Sequence, residues 1–231
     1  MAAFGIFLGQ LLVGWSNDLK DYPDDLKHKR TIKPLVAGQL KEGQLLGAVK
    51  IVAPIAVIFN LFGPLGFRGG AIYLFGVGMG VAYNFYFKST VLSALPYALA
   101  FAALVSSLVI ATDRSAPIWL ISSGALLGVA AHFANVLKDL DQDLASGIKG
   151  LPQRLGKKFS RIICSTLLLL TTLILHFTVG NTLLLVIGLI TAVITSFAPD
   201  SLIFKFLIIT VIIDLILLIN AIDSKIGSFV V

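Results

Sequence analysis

"GWSNDLKDYPDDLKHKRTIKPLVAG" occupies residues 14–38 and places an Asn and four Asp within nine positions, directly after a hydrophobic run. The surrounding chain is strongly apolar. Of its 231 residues 57% are hydrophobic and only 13% are charged, about half the charged share of a soluble domain. Its apolar residues gather into runs long enough to cross roughly 30 Å of hydrocarbon as helices. Lipid leaves the helix as the only way to satisfy the backbone of such a run, and the alternating segments of a transmembrane barrel, roughly ten residues each, are missing. The expected fold is all-α: a polytopic transmembrane helix bundle.

Eight spans are expected, at about 2–16, 44–62, 69–87, 91–111, 116–137, 160–178, 181–198 and 202–221, separated by short breaks such as "FGPLGFRGG" and "ATDRSAP". The N-terminus lacks a basic segment, so no cleaved signal peptide is expected. Cys164 is the lone cysteine and sits in an apolar run, where it reads as a small buried hydrophobe. Two connections are long and polar, residues 17–43 and 138–159. With eight alternating spans, all 18 Lys and Arg except Arg68, Arg114 and Lys225 fall on the side that carries both of them. The positive-inside rule puts that side in the cytoplasm. The net charge of +6 is therefore a topology signal, and no nucleic-acid partner is expected. The expected location is a prokaryotic plasma membrane.

The two long connections carry one pattern twice. Counting from Asn17, Asp follows at +4 (Asp21) and +8 (Asp25), Pro at +17 (Pro34) and Gly at +21 (Gly38); counting from Asn135, the same types recur at Asp139, Asp143, Pro152 and Gly156. On a helix the i, i+4, i+8 spacing drifts only about 40° per step, so each set forms a ladder of oxygen donors on one face. Carboxylates one turn apart repel by a few tenths of a kcal/mol, and more at the mouth of a low-dielectric bundle, so the arrangement asks for a cation. Oxygen donors without His or Cys suit a hard ion, Mg²⁺ first. Basic residues follow each ladder, as Lys27, Lys29, Arg30 and Lys33 and as Lys149, suited to the phosphates that accompany Mg²⁺. A plainer reading, solvated charges at helix ends, suits Asp24 and Asp141, but a matched pair on one membrane face favours function.

These residues resemble the UbiA superfamily of intramembrane prenyltransferases. Asn17-Asp18-x-x-Asp21-x-x-x-Asp25 with Arg30, Lys33-Pro34-Leu35 and Gly38 is similar to the family's first aspartate-rich motif. Asn135-x-x-x-Asp139-x-x-x-Asp143 with Gly147, Lys149, Leu151-Pro152 and Arg154-Leu155-Gly156 is similar to its second. "YNFYFKSTVLSALPYA" at 83–98 is similar to a further family segment. The resemblance covers essentially the whole chain, read as a single transmembrane prenyltransferase domain over 1–231. Family members commonly have nine helices, with the first motif ending the second. Here that motif ends the first, so the chain is expected to have one helix fewer, about eight, around a central cavity. Val136 also departs, standing where the first motif has Asp18.

The resemblance implies Mg²⁺-dependent transfer of a prenyl group from a polyprenyl diphosphate to a small-molecule acceptor in the bilayer. It assigns Mg²⁺–diphosphate to Asn17, Asp21, Asp25, Asn135, Asp139 and Asp143, with Asp18 in support. It assigns diphosphate oxygens to Arg30, Lys33, Lys88, Lys149 and Arg154, and the cavity wall to Tyr83 and Asn84. His132, three residues before Asn135, is either a base on the acceptor side or a buried structural His. "ASGIKGLPQRLG" is either a lid or a connector. Among acceptors a hydroxylated aromatic or quinone-type precursor is favoured. Two rivals stand beside this reading. One is an ion-coupled transporter using the ladders as a cation path, for which Asp214 in "TVIIDLILLIN" is the one central acid. The other is a membrane enzyme of the phosphatidyltransferase or phosphatase kind, whose usual motifs are not found.

Overall fold

The computed structural model describes the backbone of residues 1–227 and the side chains of residues 1–217. Within it nine helices follow one another: α1 (Ala2–Lys27), α2 (Glu42–Phe62), α3 (Gly66–Ala82), α4 (Leu95–Ile110), α5 (Ile118–Leu137), α6 (Leu140–Ala145), α7 (Leu151–Val179), α8 (Thr182–Phe197) and α9 (Asp200–Gly227). The eight long ones are the eight spans read from hydropathy. α6 is extra, a short helix inside what reads as a connection. α2, α3 with its extension, α5 and α7 are long and apolar enough to cross a membrane, while α4 and α8 are apolar but shorter.

Three helix ends differ from the sequence reading, each for a local reason. α1 runs on past residue 16 to Lys27, so the first ladder stands on one continuous helix. α4 starts at Leu95 rather than 91, because Pro96 favours the first turn of a helix over its interior. α7 starts at Leu151 rather than 160, also with a Pro at its start, and is kinked at Gly156 (φ 77°, ψ 172°).

The helices pack in order, α1 on α2 and α3, α3 on α4, α4 on α5, and α5 on α7, with α8 and α9 closing against α7 and α5. Lipid tails are as apolar as Leu, so association of such helices depends on close packing and internal hydrogen bonds. Both are present. A Cβ on Gly69 would lie 2.9 Å from the Ser107 carbonyl, and one on Gly124 would lie 3.0 Å from the Phe101 carbonyl. These two glycines let α3 and α5 approach the α4 backbone. Asn60 of α2 donates to the Gly5 carbonyl (3.1 Å), and Tyr73 of α3 donates to the Ile6 carbonyl (2.7 Å), fixing α1 from two sides. The core joins α5, α7 and α9 through Ala130, Ala134, Phe133, Cys164, Leu168, Ile203 and Leu207; Cys164 is buried there as expected.

Candidate active site

Both ladders end at the same end of the bundle, and both end in the same turn. After α1, Arg30 N–H donates to the Asp25 carbonyl (3.0 Å) and Lys29 N–H to Leu26 (3.1 Å), with Lys29 left-handed at φ 52°. After α6, Ile148 N–H donates to the Asp143 carbonyl (2.9 Å) and Gly147 N–H to Leu144 (3.1 Å), with Gly147 at φ 78°. Each is a Schellman C-cap in which the last Asp of the ladder accepts the closing bond. Nine residues further on, Gly38 and Gly156 are again both left-handed, at φ 70° and 77°. The closing turn and the left-handed Gly nine residues on thus recur in the backbone, while the helix before them and the segment between them do not.

The side chains differ between the two copies. In the first, the turn carries Arg30 back over Asp25, which has no exposure at all. Arg30 Nη1 donates to Asp25 Oδ1 (2.9 Å) and Lys33 Nζ pairs with Oδ2 (2.7 Å). Lys33 also reaches Asp18 (3.2 Å). Burial works against the Lys33 charge, but Asp25 and Asp18 more than offset it, so its pKa lies above the usual lysine value. One turn earlier, Asp21 Oδ2 accepts from Lys88 Nζ (2.6 Å) and from Asn17 Nδ2 (3.0 Å). Lys88 reaches it because residues 83–87 extend α3 as a π turn, closed by a bond from Lys88 N–H to the Tyr83 carbonyl (2.9 Å). Such turns are frequent at functional sites. The same turn aims Asn84 at α1, where it donates to Ser16 Oγ (2.8 Å) and the Val13 carbonyl (3.0 Å).

The second ladder is not one helical face, contrary to the expectation from spacing. α5 ends at Leu137, and Asp139 caps α6 with φ −112° and ψ 5°, so Asn135 and Asp143 stand on different helices. Asp139 sits at the N-cap position of α6 without a side-chain capping bond, with Asp141 and Asp143 in the first turn, where acids are favourable. Asp139 is half exposed and, among the described residues, pairs with Lys138 at 3.8 Å. Asp143 Oδ2 accepts from Gln153 Nε2 (2.9 Å). Burial pushes the Asp143 carboxyl above the usual range, opposed by the Gln153 bond and the Lys88 charge, and by Arg30 more weakly. Arg30 ties the copies together, since the Gln142 carbonyl oxygen, with the amide turned toward it, accepts from Nε (2.9 Å) and Nη2 (3.3 Å).

Lys149 and Arg154 are exposed at the start of α7, where Arg154 Nε donates to the Lys149 carbonyl (2.7 Å). His132 is 1% exposed, with Nε2 3.0 Å from Ser93 Oγ. Its ring lies against Tyr83 and Tyr97 (centroids 5.5 and 4.7 Å), behind the wall these tyrosines form. The "ASGIKG" run forms the α6 cap and the lead into α7. Asp214 lies on α9, about 21 Å along the helix from Asp200, and its Oδ1 has no hydrogen-bond partner among the described residues. Sequence reading missed Gln142, Gln153 and Ser93, uncharged side chains that carry no signal of their own in a single sequence.

Two cavities share Asn84 in their walls. A polar one of about 310 Å³ is lined by Asp21, Asp24, Arg30, Lys88 and Ser146 among others. An apolar one of about 340 Å³ runs between α1, α3 and α4, past Tyr83 and Tyr97 to Ile6, Tyr73 and Leu104. The donors at the polar mouth are Asp and Asn oxygens, the chemistry of a Mg²⁺ site. No three carboxylate, His or Cys side chains converge among the described residues. The four Asp that the resemblance assigns to the ion therefore do not meet at one point: Asp25 is closed by Arg30 and Lys33, and Asp139 is exposed beside Lys138.

The chain matches the UbiA prenyltransferase family over residues 1–210. No functionally curated protein sequence matches it. Among solved structures, a UbiA homolog from Archaeoglobus fulgidus, bound to GPP and Mg²⁺, is similar with a TM-score of 0.68 and 17% identity. The match covers 95% of this chain and 87% of that one, and at this identity it is a likeness of fold.

Proposed function

The chain belongs to the UbiA prenyltransferase family, and on that premise we propose that it moves a prenyl group from a polyprenyl diphosphate to a hydroxylated aromatic or quinone-type acceptor within the membrane, with Mg²⁺. The observation that carries this is the pair of cavities on either side of Asn84. A charged cavity suited to a diphosphate and an apolar one suited to its tail share Asn84 in their walls.

Asp21, Asp25, Asp139 and Asp143, with Asn17 and Asn135, would have to be drawn together around the ion and the diphosphate to hold it, and Asp18 backs Lys33. Bound Mg²⁺ neutralises charge on the leaving diphosphate. The chain's own cations do the rest. Lys88, Lys33 and Arg30 rest on Asp21 and Asp25 and turn to diphosphate oxygens when these arrive. Lys149 and Arg154 are free at the rim to follow. As the C1–O bond breaks, the electron pair leaves with the diphosphate, which these charges stabilise. Tyr83 and Tyr97 line the apolar cavity where positive charge would develop on carbon, and its apolar walls keep water away. The acceptor forms the new bond and gives up a proton. His132 stands behind the tyrosines with Nε2 engaged by Ser93, which favours a structural role over that of a base. The excess of Lys and Arg at this end supports a cytoplasmic orientation for the motifs.

The test is diphosphate release from geranylgeranyl diphosphate by membranes containing the chain, over a panel of acceptors, with and without Mg²⁺. Release that requires both Mg²⁺ and one acceptor is expected. Ion flux without any release would refute the reading in favour of the transporter.

A further inference from the structure

Gln153 has no place in the reading of the motifs, yet it is 7% exposed and bonded to a motif carboxylate. Its position is set from a distance. Ser93, fully buried in the turn after Lys88, accepts the Leu151 N–H through Oγ (2.8 Å). Leu151 is the first residue of α7, so its N–H has no partner within the helix, and Ser93 supplies one from another part of the chain. The same Oγ meets His132 Nε2. The backbone before α7 passes so close that a Cβ on Gly150 would lie 2.6 Å from the Lys88 carbonyl, 2.7 Å from Gln153 Oε1 and 3.0 Å from Ser93 Oγ. The first turn of α7 is therefore clasped onto the segment that carries Lys88, and Gln153 in that turn is aimed at Asp143.

The consequence is chemical. Asp143 lacks the cationic clamp that Asp25 has, because the turn positions of Arg30 and Lys33 are Ile148 and Leu151 in the second copy. What orients its carboxylate is the Gln153 amide on Oδ2, which leaves Oδ1 for a ligand. Hydrogen bonds that orient a metal-binding carboxylate are worth about 10- to 100-fold in metal affinity.

Resting on the prenyltransferase reading, we propose that Gln153 is a positioning residue: held by the Ser93 clasp, it fixes Asp143 so that Oδ1 faces the divalent cation that accompanies the diphosphate. Gln153→Met keeps the length of the side chain and removes its N–H, so a role in packing alone would survive it. The measurement is Mn²⁺ binding to the detergent-solubilised full chain in the presence of inorganic pyrophosphate, followed by electron paramagnetic resonance. Wild type is expected to bind, and Gln153→Met to need about 10- to 100-fold more Mn²⁺. In the prenyl-transfer assay the same variant should show a raised Mg²⁺ requirement, with kcat recovered at high Mg²⁺. Equal Mn²⁺ affinity in both proteins would overturn the proposal, as would a loss of kcat that Mg²⁺ does not restore. Absence of Mn²⁺ binding in wild type would instead overturn the functional reading beneath it. Should Gln153→Met fail to fold, Ser93→Ala decides the question, since releasing the clasp must weaken Mn²⁺ binding in the same direction.

Discussion

Lys33→Met is expected to have opposite effects on two ligands. In the metal-free protein Lys33 covers Asp25 Oδ2 at 2.7 Å while Arg30 covers Oδ1. Removing the ammonium takes away the ion pair of a buried carboxylate oxygen that accepts no hydrogen bond, which costs about 1–3 kcal/mol. Lys33 keeps 27% of its side-chain exposure, so solvent screens part of the pair and the lower half of that range applies. A divalent cation that no longer competes with Lys33 gains the same free energy. At about 1.4 kcal/mol per tenfold, Mn²⁺ binding without pyrophosphate should tighten roughly tenfold. With pyrophosphate present the order reverses, because the variant has lost a cation for the phosphate oxygens. Titrating Mn²⁺ into both proteins, with and without pyrophosphate, reads both effects directly. Thermal unfolding in EDTA should show the variant as the less stable, and Mn²⁺ should narrow the gap. An unchanged Mn²⁺ affinity without pyrophosphate would show that Lys33 does not guard Asp25, and exchange of the chain's own cations for substrate would fall with it.

Lys88→Ala should raise the KM for the prenyl diphosphate by about 10- to 100-fold, from loss of a charge-assisted hydrogen bond worth roughly 1.5–3 kcal/mol; steady-state diphosphate release checks it, and an unchanged KM removes Lys88 from the site. Asp143→Asn should abolish turnover yet stabilise the metal-free protein at neutral pH. The folded carboxyl has a raised pKa, so the fold holds the proton more tightly than the unfolded chain and wild type loses stability as pH rises past about 4. The advantage of the variant should therefore vanish below that pH, as melting curves in EDTA would show; an advantage that persists in acid would contradict this sign. Lys29→Gly should raise stability by about 0.5–1 kcal/mol, because a left-handed residue with a Cβ is replaced by one without it. Lower stability in that variant would mean that the Lys29 side chain contributes more than its backbone costs.

Much of the architecture follows from local chemistry, and so was legible in the chain itself. Hydropathy places eight long helices because lipid permits no other backbone arrangement. The repeat of Asn, Asp, Asp, Pro and Gly marks two segments that close in matching turns after Asp25 and Asp143. A Gly at +21 in both segments marks a left-handed residue, as Gly38 and Gly156 are. The hard oxygen donors that point to Mg²⁺ are equally a matter of residue type.

Pairing across the fold could not be read this way. Lys88 lies 67 residues from Asp21 and meets it only because a π turn rotates the end of α3 toward α1. Nothing in "NVLKDLDQD" states that α5 ends at Leu137, since the i, i+4 pattern continues unbroken through the helix end. Gln153 reaches Asp143 because Ser93, 58 residues before Leu151, holds the start of α7. Periodicity and residue type act over one or two helical turns, so the sequence alone determined the bundle and its paired acids. Which cation rests on which carboxylate depends on contacts between distant segments that exist only once the helices have packed, and the tertiary structure alone decided that.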